Sequence, residues 1–561
     1  MNSTNYRTQP DDTDKMPPGI PYIIANEAAE RFSFYGMKAA LAVFLVNYLG
    51  VLGGENLTEA QSTSQVSWFT SAVYFTPIIG AVLADLFFGK YRIIMTLSIV
   101  YCLGHLALAF AGIGGMVQLW LISGLGLIAI GAGGIKPCVS AHVGDQFGPK
   151  NQHLLTNVFN LFYFSINTGA VVSNLAVPWI LHHYGPHWAF GIPGVLMALA
   201  TMFFWLGRHK FIHVQADPTS FKSELFSNKG LRTVAKLVPL YLFVAVFWCL
   251  FDQTATTLVF QAEKMDRSFF GLDPILPSQI QAANPFLILV LIPVFSVLIY
   301  PKVNKLLPFT PLRKIGTGLF LMVVSFAVIA WAQEAIDRGE TPHVAWQLLA
   351  YLIFTSAEIL ISIVCLEFSY TQAMPRMKSF IMGLFLLSVF VGNAVTALLN
   401  SYIQIPQTEL GTPPTALVQS VEKVTTFYRN FSKFPETGAL SLPDGVRLQL
   451  LHAKKVRLSL AGPDGELRTK DDPTALLTLP KGDEIDETSW LFREKKRLGM
   501  LEDAPASPDA IPQPKVSYQT GGGLTLEGAA YFWFLTKLML ATAVLFIPYA
   551  LLYKEETHLQ Q

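Results

Sequence analysis

The sequence predicts an all-α membrane protein whose twelve transmembrane helices form two six-helix bundles, with a small extracytoplasmic insert in which β-strands are expected. Hydrophobic residues make up 52% of the 561-residue chain and charged residues 14%, whereas an ordinary soluble chain carries about 25% charge. Twelve apolar stretches are long enough to cross roughly 30 Å of hydrocarbon. One long polar segment, 403–525, precedes the last of them. The net charge of +1 argues against the basic surface of a nucleic-acid-binding protein.

The predicted spans follow one another with short connections, except before the last one. They lie near residues 20–50, 61–88, 92–113, 116–144, 152–182, 188–207, 236–260, 279–301, 312–333, 343–372, 379–402 and 526–553. Because their number is even, both termini are expected on one side of the membrane.

Lys and Arg residues in the loops orient the spans. The loops after spans 2, 4, 6, 8 and 10 carry fourteen of them, whereas the short loops on the other side carry Lys264, Arg267 and Arg338. Positive charge in short loops marks the cytoplasmic side. We therefore expect a multi-pass protein of the cell (inner) membrane, surrounded by the lipid bilayer, with both termini in the cytoplasm.

The spans divide into two halves joined by a basic loop, a plan that in transporters places a site between the halves. The predicted parts are a disordered cytoplasmic tail (1–19), an N-terminal six-helix bundle (20–207), a cytoplasmic linker (208–235), helices 7–11 of the C-terminal bundle (236–402), the extracytoplasmic insert (403–525), helix 12 (526–553) and a cytoplasmic tail (554–561).

The loop after span 2 reads GAVLADLFFGKYR, residues 80–92. An Asp four residues before a Gly, followed by two cations, resembles the signature loop of the major facilitator superfamily. The resemblance implies a major facilitator fold. Lys90 and Arg92 alone would satisfy the positive-inside rule in any membrane protein, so the resemblance depends on Asp85 and the two glycines.

Span 1 carries four ionisable residues beside an apolar run, Glu27, Glu30, Arg31 and Lys38. At about 100° per residue they share one helical stripe with Tyr35. An isolated charge at mid-bilayer costs about 2.5–3.5 kcal/mol, so such residues normally face a bundle interior or an aqueous cavity. We interpret the stripe as lining a proton and substrate path. The alternative is a structural ion-pair network that only holds helices together.

Few other charged residues lie at membrane depth. Lys136 lies in span 4, Asp252 in span 7 and Glu358 at the midpoint of span 10, where it is predicted to face the cavity.

Lys38 and Asp252 lie about 18 and 16 residues along spans that begin in the cytoplasm, so at about 1.5 Å per residue both reach the outer half. They are predicted to pair as an extracellular gate. Weaker candidates, because such residues often only hydrogen-bond between helices, are Tyr74, Asn167 and Asn284.

Five stretches carry a more specific resemblance, EAAERFSFYG, GAGGIKPCVSAHVGDQF, FNLFYFSINTGA, FWCLFDQ and SAEILISIVCLEFSYTQA. In order and position they are similar to the proton-coupled oligopeptide transporter family, also called the peptide/nitrate transporter family. The match runs over about residues 20–400 and again at 526–553. It implies a symporter that takes up di- and tripeptides with protons by alternating access.

The resemblance also implies roles for individual residues. Glu27, Glu30 and Arg31 match the acid-acid-arginine motif of proton coupling. Arg31 and Lys136 would bind the peptide carboxylate, and Glu358 its ammonium group. The other substrate-binding positions are Tyr35, Tyr74, Asn167, Asn284 and Lys38, which stands where many members have Arg. Phe34 departs from the pattern, because the family often has a second Tyr there.

The insert is too long for an ordinary loop, since structureless connections beyond about 12–15 residues are uncommon in compact proteins. Val456, Leu458 and Leu460 alternate on one face before a turn at 463–465. This pattern predicts a strand and a tight turn.

Three acidic residues follow that strand, Asp464, Asp471 and Asp472. They resemble a short calcium-binding loop of secreted bacterial proteins, but their spacing differs from the EF-hand pattern. A solvated acidic turn is the preferred interpretation, and no metal is expected.

Other classes of protein compete with a transporter. An enzyme would need a nucleophile with a base, or a metal cluster, at the cavity. The sequence offers no such set, so neither catalytic residues nor a cofactor is expected. A non-transporting peptide sensor could keep every binding residue. Among transporters, the alternative substrate is nitrate or another small organic solute, although Lys136 with Glu358 favours a zwitterion over an anion.

Overall fold

The computed structural model describes residues 6–10, 12–214, 227–268, 274–372, 378–435, 439–452, 455–467, 469–479, 488–500 and 513–553. Within these residues, eleven helices are long and apolar enough to cross a membrane. A twelfth, Ile20–Asn47, has 28 residues and differs from the others by its four ionisable side chains. The predicted helical membrane fold is confirmed.

The N-terminal half contains α1 Ile20–Asn47, α2 Glu59–Leu83, α3 Lys90–Ala109, α4 Val117–Gly144, α5 Leu155–Tyr184 and α6 Pro186–Leu206. Local sequence sets several helix ends. Thr58 and Gln61 form a capping box at the start of α2, which satisfies backbone N–H groups that the helix leaves unpaired. Gly185, with φ of +86°, turns the chain between α5 and α6, and Pro186 starts the next helix with a preset φ.

The C-terminal half contains, in order, α7 Asn228–Phe251, α8 Thr257–Glu263, α9 Ala283–Val294, α10 Tyr300–Leu306, α11 Pro311–Asp337, α12 Ala345–Glu358, α13 Val364–Gln372, α14 Lys378–Tyr402 and, after the insert, a last long helix. Three spans are interrupted. A 3-10 turn, Asp252–Ala255, separates α7 from α8, whereas π-helical turns at Phe295–Ile299 and Ile359–Ile363 divide spans 8 and 10. Such π-turns are frequent at functional sites.

Glycines let helices of the first half approach closely. A Cβ on Gly80 would lie 2.5 Å from the carbonyl oxygen of Gly134, so α2 and α4 touch backbone to backbone. Small residues commonly permit such contacts in membranes. Each half encloses its own apolar core.

The insert contains β1 Gln407–Glu409, α15 Thr415–Phe431, β2 Val446–His452, β3 Lys455–Leu460, β4 Pro473–Thr478, α16 Trp490–Arg497 and β5 Lys515–Gly521, and it is followed by α17 Ala529–Leu552. Its strands form a five-stranded antiparallel sheet of order β1-β5-β4-β3-β2. Val456 and Leu458 are fully buried with Leu417 of α15. The prediction of strands in the insert is confirmed.

The insert contacts both halves on the side where α1 ends and α2 begins, which we call the insert side. Arg457 of β3 forms an ion pair with Glu527, directly before α17. Trp490 of α16 stacks beside Tyr48 at the end of α1, with ring centroids 6.1 Å apart. The sheet therefore lies on the second half and α16 on the first.

The structure describes parts of two predicted connecting segments. In the tail 1–19, Arg7 donates to the Lys210 carbonyl at 2.9 Å and its own carbonyl accepts from the His213 N–H at 2.8 Å. The linker 208–235 is partly helical, since α7 begins at Asn228. Residues 1–5, 11 and 215–226 and the tail 554–561 lie outside the described residues.

Candidate substrate and proton site

An ion pair on α1 lies in the interior of the first half. Arg31 Nε donates to Glu27 Oε1 at 2.7 Å, across the i, i+4 spacing that favours such pairs. Glu30 Oε2 lies 3.4 Å from Arg31 Nε, and neither Glu30 oxygen accepts a hydrogen bond from the described residues. Both glutamates are 1% exposed. Glu27 therefore holds Arg31, while the Glu30 carboxylate keeps free acceptor positions.

Lys136 of α4 reaches the same region. Its ammonium nitrogen lies 3.8 Å from the centroid of the Phe34 ring and 5.3 Å from that of Tyr74. It donates no hydrogen bond to the described residues. A cation over an aromatic face gains about 0.5–2 kcal/mol, and this contact leaves the three N–H donors of the ammonium group available. Lys136 also interacts electrostatically with Arg31 and Glu30.

Glu358 supplies a carboxylate from the second half. It is the last residue of α12, directly before a π-helical turn. Its Oε2 accepts from Asn284 Nδ2 at 2.7 Å, and the same amide reaches Thr355 Oγ1 at 3.1 Å. A neutral amide thus holds Glu358, and no ion pair with a described cation compensates its charge. Such a carboxylate can accept the ammonium group of a ligand through charge-assisted hydrogen bonds.

Lys38 and Asp252 form an ion pair between the two halves. Lys38 Nζ lies 2.6 Å from Asp252 Oδ1, and Asn393 Nδ2 donates to Asp252 Oδ2 at 2.7 Å. Asp252 opens the 3-10 turn after α7, so the interruption of span 7 coincides with this contact. The expected pairing is present, and its role as a gate stays a prediction.

Other hydrogen bonds join the halves on the insert side. Ser64 Oγ of α2 lies 2.7 Å from Ser401 Oγ of α14. Lys264 Nζ lies 2.9 Å from a carboxylate oxygen of Glu59 at the start of α2. With the Lys38 pair, these contacts hold the interface between the halves closed on that side.

Tyr35 and Asn167 lie beside these charges. Tyr35 lies one helical turn after Arg31 on α1, close enough to interact electrostatically with both Arg31 and Glu358. Asn167 Nδ2 donates to the backbone carbonyl of Tyr163 at 2.9 Å within α5. The structure thus gives Asn167 a local partner, and its predicted contact with substrate stays a prediction.

Sequence reasoning missed three residues of this region, Tyr163, Thr355 and Asn393. Tyr163 interacts electrostatically with Glu358 and Tyr35, and its position four residues before Asn167 on a helix is a usable signal. Thr355 and Asn393 are polar residues inside apolar spans. Only their spatial partners distinguish them from ordinary helix-packing residues.

The acidic cluster of the insert is held by internal hydrogen bonds. Carboxylate oxygens of Asp464, Asp471 and Asp472 lie within 4.8 Å of one another. The Asp472 carboxylate accepts from the Gly462 N–H at 3.0 Å and from the Thr469 N–H at 3.2 Å. These bonds organise the turn between β3 and β4 and account for the burial of Asp472, in keeping with the acidic-turn interpretation.

Two helical halves with charged groups between them define a membrane transporter of the major facilitator type. A family model described as the POT family matches residues 91–228 and 226–415. The chain therefore belongs to the POT family.

Named relatives are similar over more than half of the chain. Solute carrier family 15 member 2 of Mus musculus is 34% identical over 388 residues, which cover 61% of this chain and 52% of that protein. Peptide transporter family 1 of Drosophila melanogaster is 35% identical over 366 residues, which cover 58% of this chain and 48% of that protein. The chain spans about half the length of these relatives.

Solved structures of the family resemble the whole architecture. The POT family transporter PepTSo is 35% identical, with a TM-score of 0.64, and the match covers 73% of this chain and 93% of that chain. An auto-inhibited POT family peptide transporter is 27% identical, with a TM-score of 0.68, and the match covers 97% of this chain and 99% of that chain. The second match must include most of segment 403–525.

Proposed function

We propose that this protein is a proton-coupled symporter that takes up di- and tripeptides across the cytoplasmic membrane. The observation that carries the proposal is the separation of charge in the site. Arg31 and Lys136 belong to the first half, and Glu358 belongs to the second. A zwitterionic peptide has fixed opposite charges at its ends and variable side chains between them. This arrangement binds the two charged ends and does not depend on the side chains between them.

Relatives named as peptide transporters support this substrate class. In the proposal, Arg31 and Lys136 bind the carboxylate and Glu358 binds the ammonium group. Tyr35, Tyr74, Asn167 and Asn284 contact the peptide backbone and flanks, and Lys38 borders the site at the gate pair with Asp252.

Proton coupling is proposed to act on the Arg31 ion pair. When a proton neutralises Glu27 or Glu30, Arg31 is released to the peptide carboxylate. Loss of the proton lets the glutamate recapture Arg31 and displaces the peptide. Proton and peptide then change the same charge pair, and the coupling between their binding is reciprocal.

Orientation and gating complete the proposal. Both termini are assigned to the cytoplasm because Lys and Arg are in excess in the loops opposite the insert side. The Lys38–Asp252 pair then lies in the outer half, where its separation accompanies opening to the exterior. Alternating access follows from rocking of the two halves about the central site.

Two transport assays test the proposal against its alternatives. Proteoliposomes loaded with unlabelled dialanine should exchange it for labelled dialanine, whereas a sensor that only binds the peptide would not exchange. Dialanine and trialanine should compete with the labelled peptide, and nitrate should not. If nitrate competed with the labelled peptide and trialanine did not, the small-solute alternative would be the correct assignment.

A further inference from the structure

One lysine lies on the lipid-facing surface of the last helix. Leu535, Met539 and Ala543 are buried and mark the face of α17 that packs against the protein. Lys537 precedes Met539 by two residues, so it lies about 160° around the helix from it, and its side chain is exposed. A lipid-facing charge at mid-bilayer costs about 2.5–3.5 kcal/mol.

The depth of Lys537 lets its side chain reach the membrane surface. The 24 residues of α17 span about 36 Å, against about 30 Å of hydrocarbon. Lys537 lies eight residues after Ala529, which puts its Cα roughly 9 Å below the hydrocarbon boundary on the insert side. Helical side chains lean toward the helix N-terminus, so the ammonium group extends toward this boundary.

A groove runs along α17 from Lys537 toward the N-terminus of the helix. It has a volume of about 550 Å³ and is lined by Leu526, Ala530, Trp533, Phe534 and Lys537. Trp533 is fixed because its Nε1 donates to Glu334 Oε1 at 2.7 Å.

Nearby carboxylates are occupied by other donors. Glu334 accepts from Trp533, and Asp337 accepts from the Ala529 N–H at 2.7 Å and from Gln333 Nε2 at 2.9 Å. Lys537 forms no ion pair within the described residues. The groove therefore joins an apolar wall to a cation that has no ionic partner among the described residues and extends toward the headgroups.

We propose that this groove binds one anionic phospholipid, with its phosphate on the Lys537 ammonium group and an acyl chain against Phe534. Charge complementarity selects the headgroup class. The phosphate of phosphatidylcholine is neutralised by the lipid's own quaternary ammonium, whereas that of phosphatidylglycerol is free to pair with lysine. The apolar wall selects a lipid over a free phosphate ion.

Native mass spectrometry of the full chain in detergent tests the site. Phosphatidylglycerol, phosphatidylcholine and inorganic phosphate are titrated separately onto the parent chain, Lys537→Met and Lys537→Arg. We expect one phosphatidylglycerol per parent chain, an apparent Kd about 10-fold higher for Lys537→Met, and near-parent binding for Lys537→Arg. Lys496→Met, which removes an exposed cation of α16, is the matched control and should bind like the parent.

The result that would overturn the proposal is an apparent Kd for Lys537→Met within a factor of two of the parent value. Equal binding of phosphatidylcholine, or displacement of the lipid by inorganic phosphate, would also overturn it. Met is apolar and faces lipid, so the variant is expected to insert and fold, which size-exclusion chromatography and dialanine counterflow verify.

Discussion

Single residues of the site differ in how their charges are compensated. Arg31 is hydrogen-bonded to Glu27. The Lys136 ammonium group instead lies over the Phe34 ring, and Glu358 accepts a hydrogen bond from the Asn284 amide. A buried charge without an ionic partner is costly, and a ligand of opposite charge relieves that cost. Lys136 and Glu358 are therefore the residues at which substrate binding gains most.

Glu358→Gln should weaken dialanine binding roughly 10- to 100-fold, because a hydrogen bond to a charged group contributes about 1.5–3 kcal/mol. N-acetyl-dialanine lacks the ammonium group and should lose little further affinity. Competition against labelled peptide in counterflow measures both. Glu367→Gln, at an exposed position of the same span, is the control. Unchanged dialanine affinity in Glu358→Gln would contradict its assignment.

Phe34→Leu should raise the KM for dialanine about 2- to 30-fold with little change in Vmax, because it removes the ring that holds the Lys136 ammonium group. Dialanine amide, which lacks the carboxylate, should be affected little. Phe34→Tyr restores an aromatic face and should restore the KM.

The control for lost packing is Phe69→Leu. Phe69 is buried, and its ring centroid lies 6.4 Å from that of Phe34. If Phe34→Leu and Phe69→Leu raised the KM for dialanine and for its amide alike, Phe34 would be a packing residue only.

Among the structural elements, the insert is built separately from the central site. Its two ends lie side by side, because the Ile405 N–H donates to the Gly523 carbonyl at 3.0 Å and Gln404 pairs with Leu524 in an antiparallel bridge. A short connection can therefore close the chain without moving α14 or α17.

Replacing residues 405–522 with a short Gly/Ser linker should preserve dialanine counterflow, since the site lies between the helices and loop closure depends only weakly on loop length. The variant is compared with the parent in proteoliposomes at matched protein density. Complete loss of exchange in a monodisperse, correctly inserted variant would show that the insert contributes to the site.

Elements differ in how far the sequence predicts them. The twelve spans follow from apolar length, and the strand at 456–460 follows from its alternation, because both signals are local. The docking of α16 beside Tyr48 and the pairing of Asp252 with Asn393 join residues more than a hundred positions apart. No local pattern contains them. The π-turn after Glu358 has no sequence signature either.

In the whole molecule, charged groups of the two halves form the Lys38–Asp252 and Lys264–Glu59 pairs on the insert side, and others define the central site. Sequence reasoning identified Lys38, Asp252 and the central charges, because a charge inside an apolar span is conspicuous. In the structure Arg31 donates to Glu27, so Glu30→Gln is expected to retain counterflow better than Glu27→Gln, while Arg31→Ala should lose both exchange and accumulation.

Uphill accumulation of dialanine driven by a pH difference alone tests the central claim most directly. Proteoliposomes with an acidic exterior receive labelled dialanine at equal internal and external concentration, with the membrane potential clamped at zero. The parent chain should concentrate the peptide inside, and the double variant Glu27→Gln/Glu30→Gln should not, because no carboxylate remains to couple the proton to Arg31. Accumulation by the double variant equal to that of the parent would contradict the account and leave the α1 charges as a structural ion-pair network.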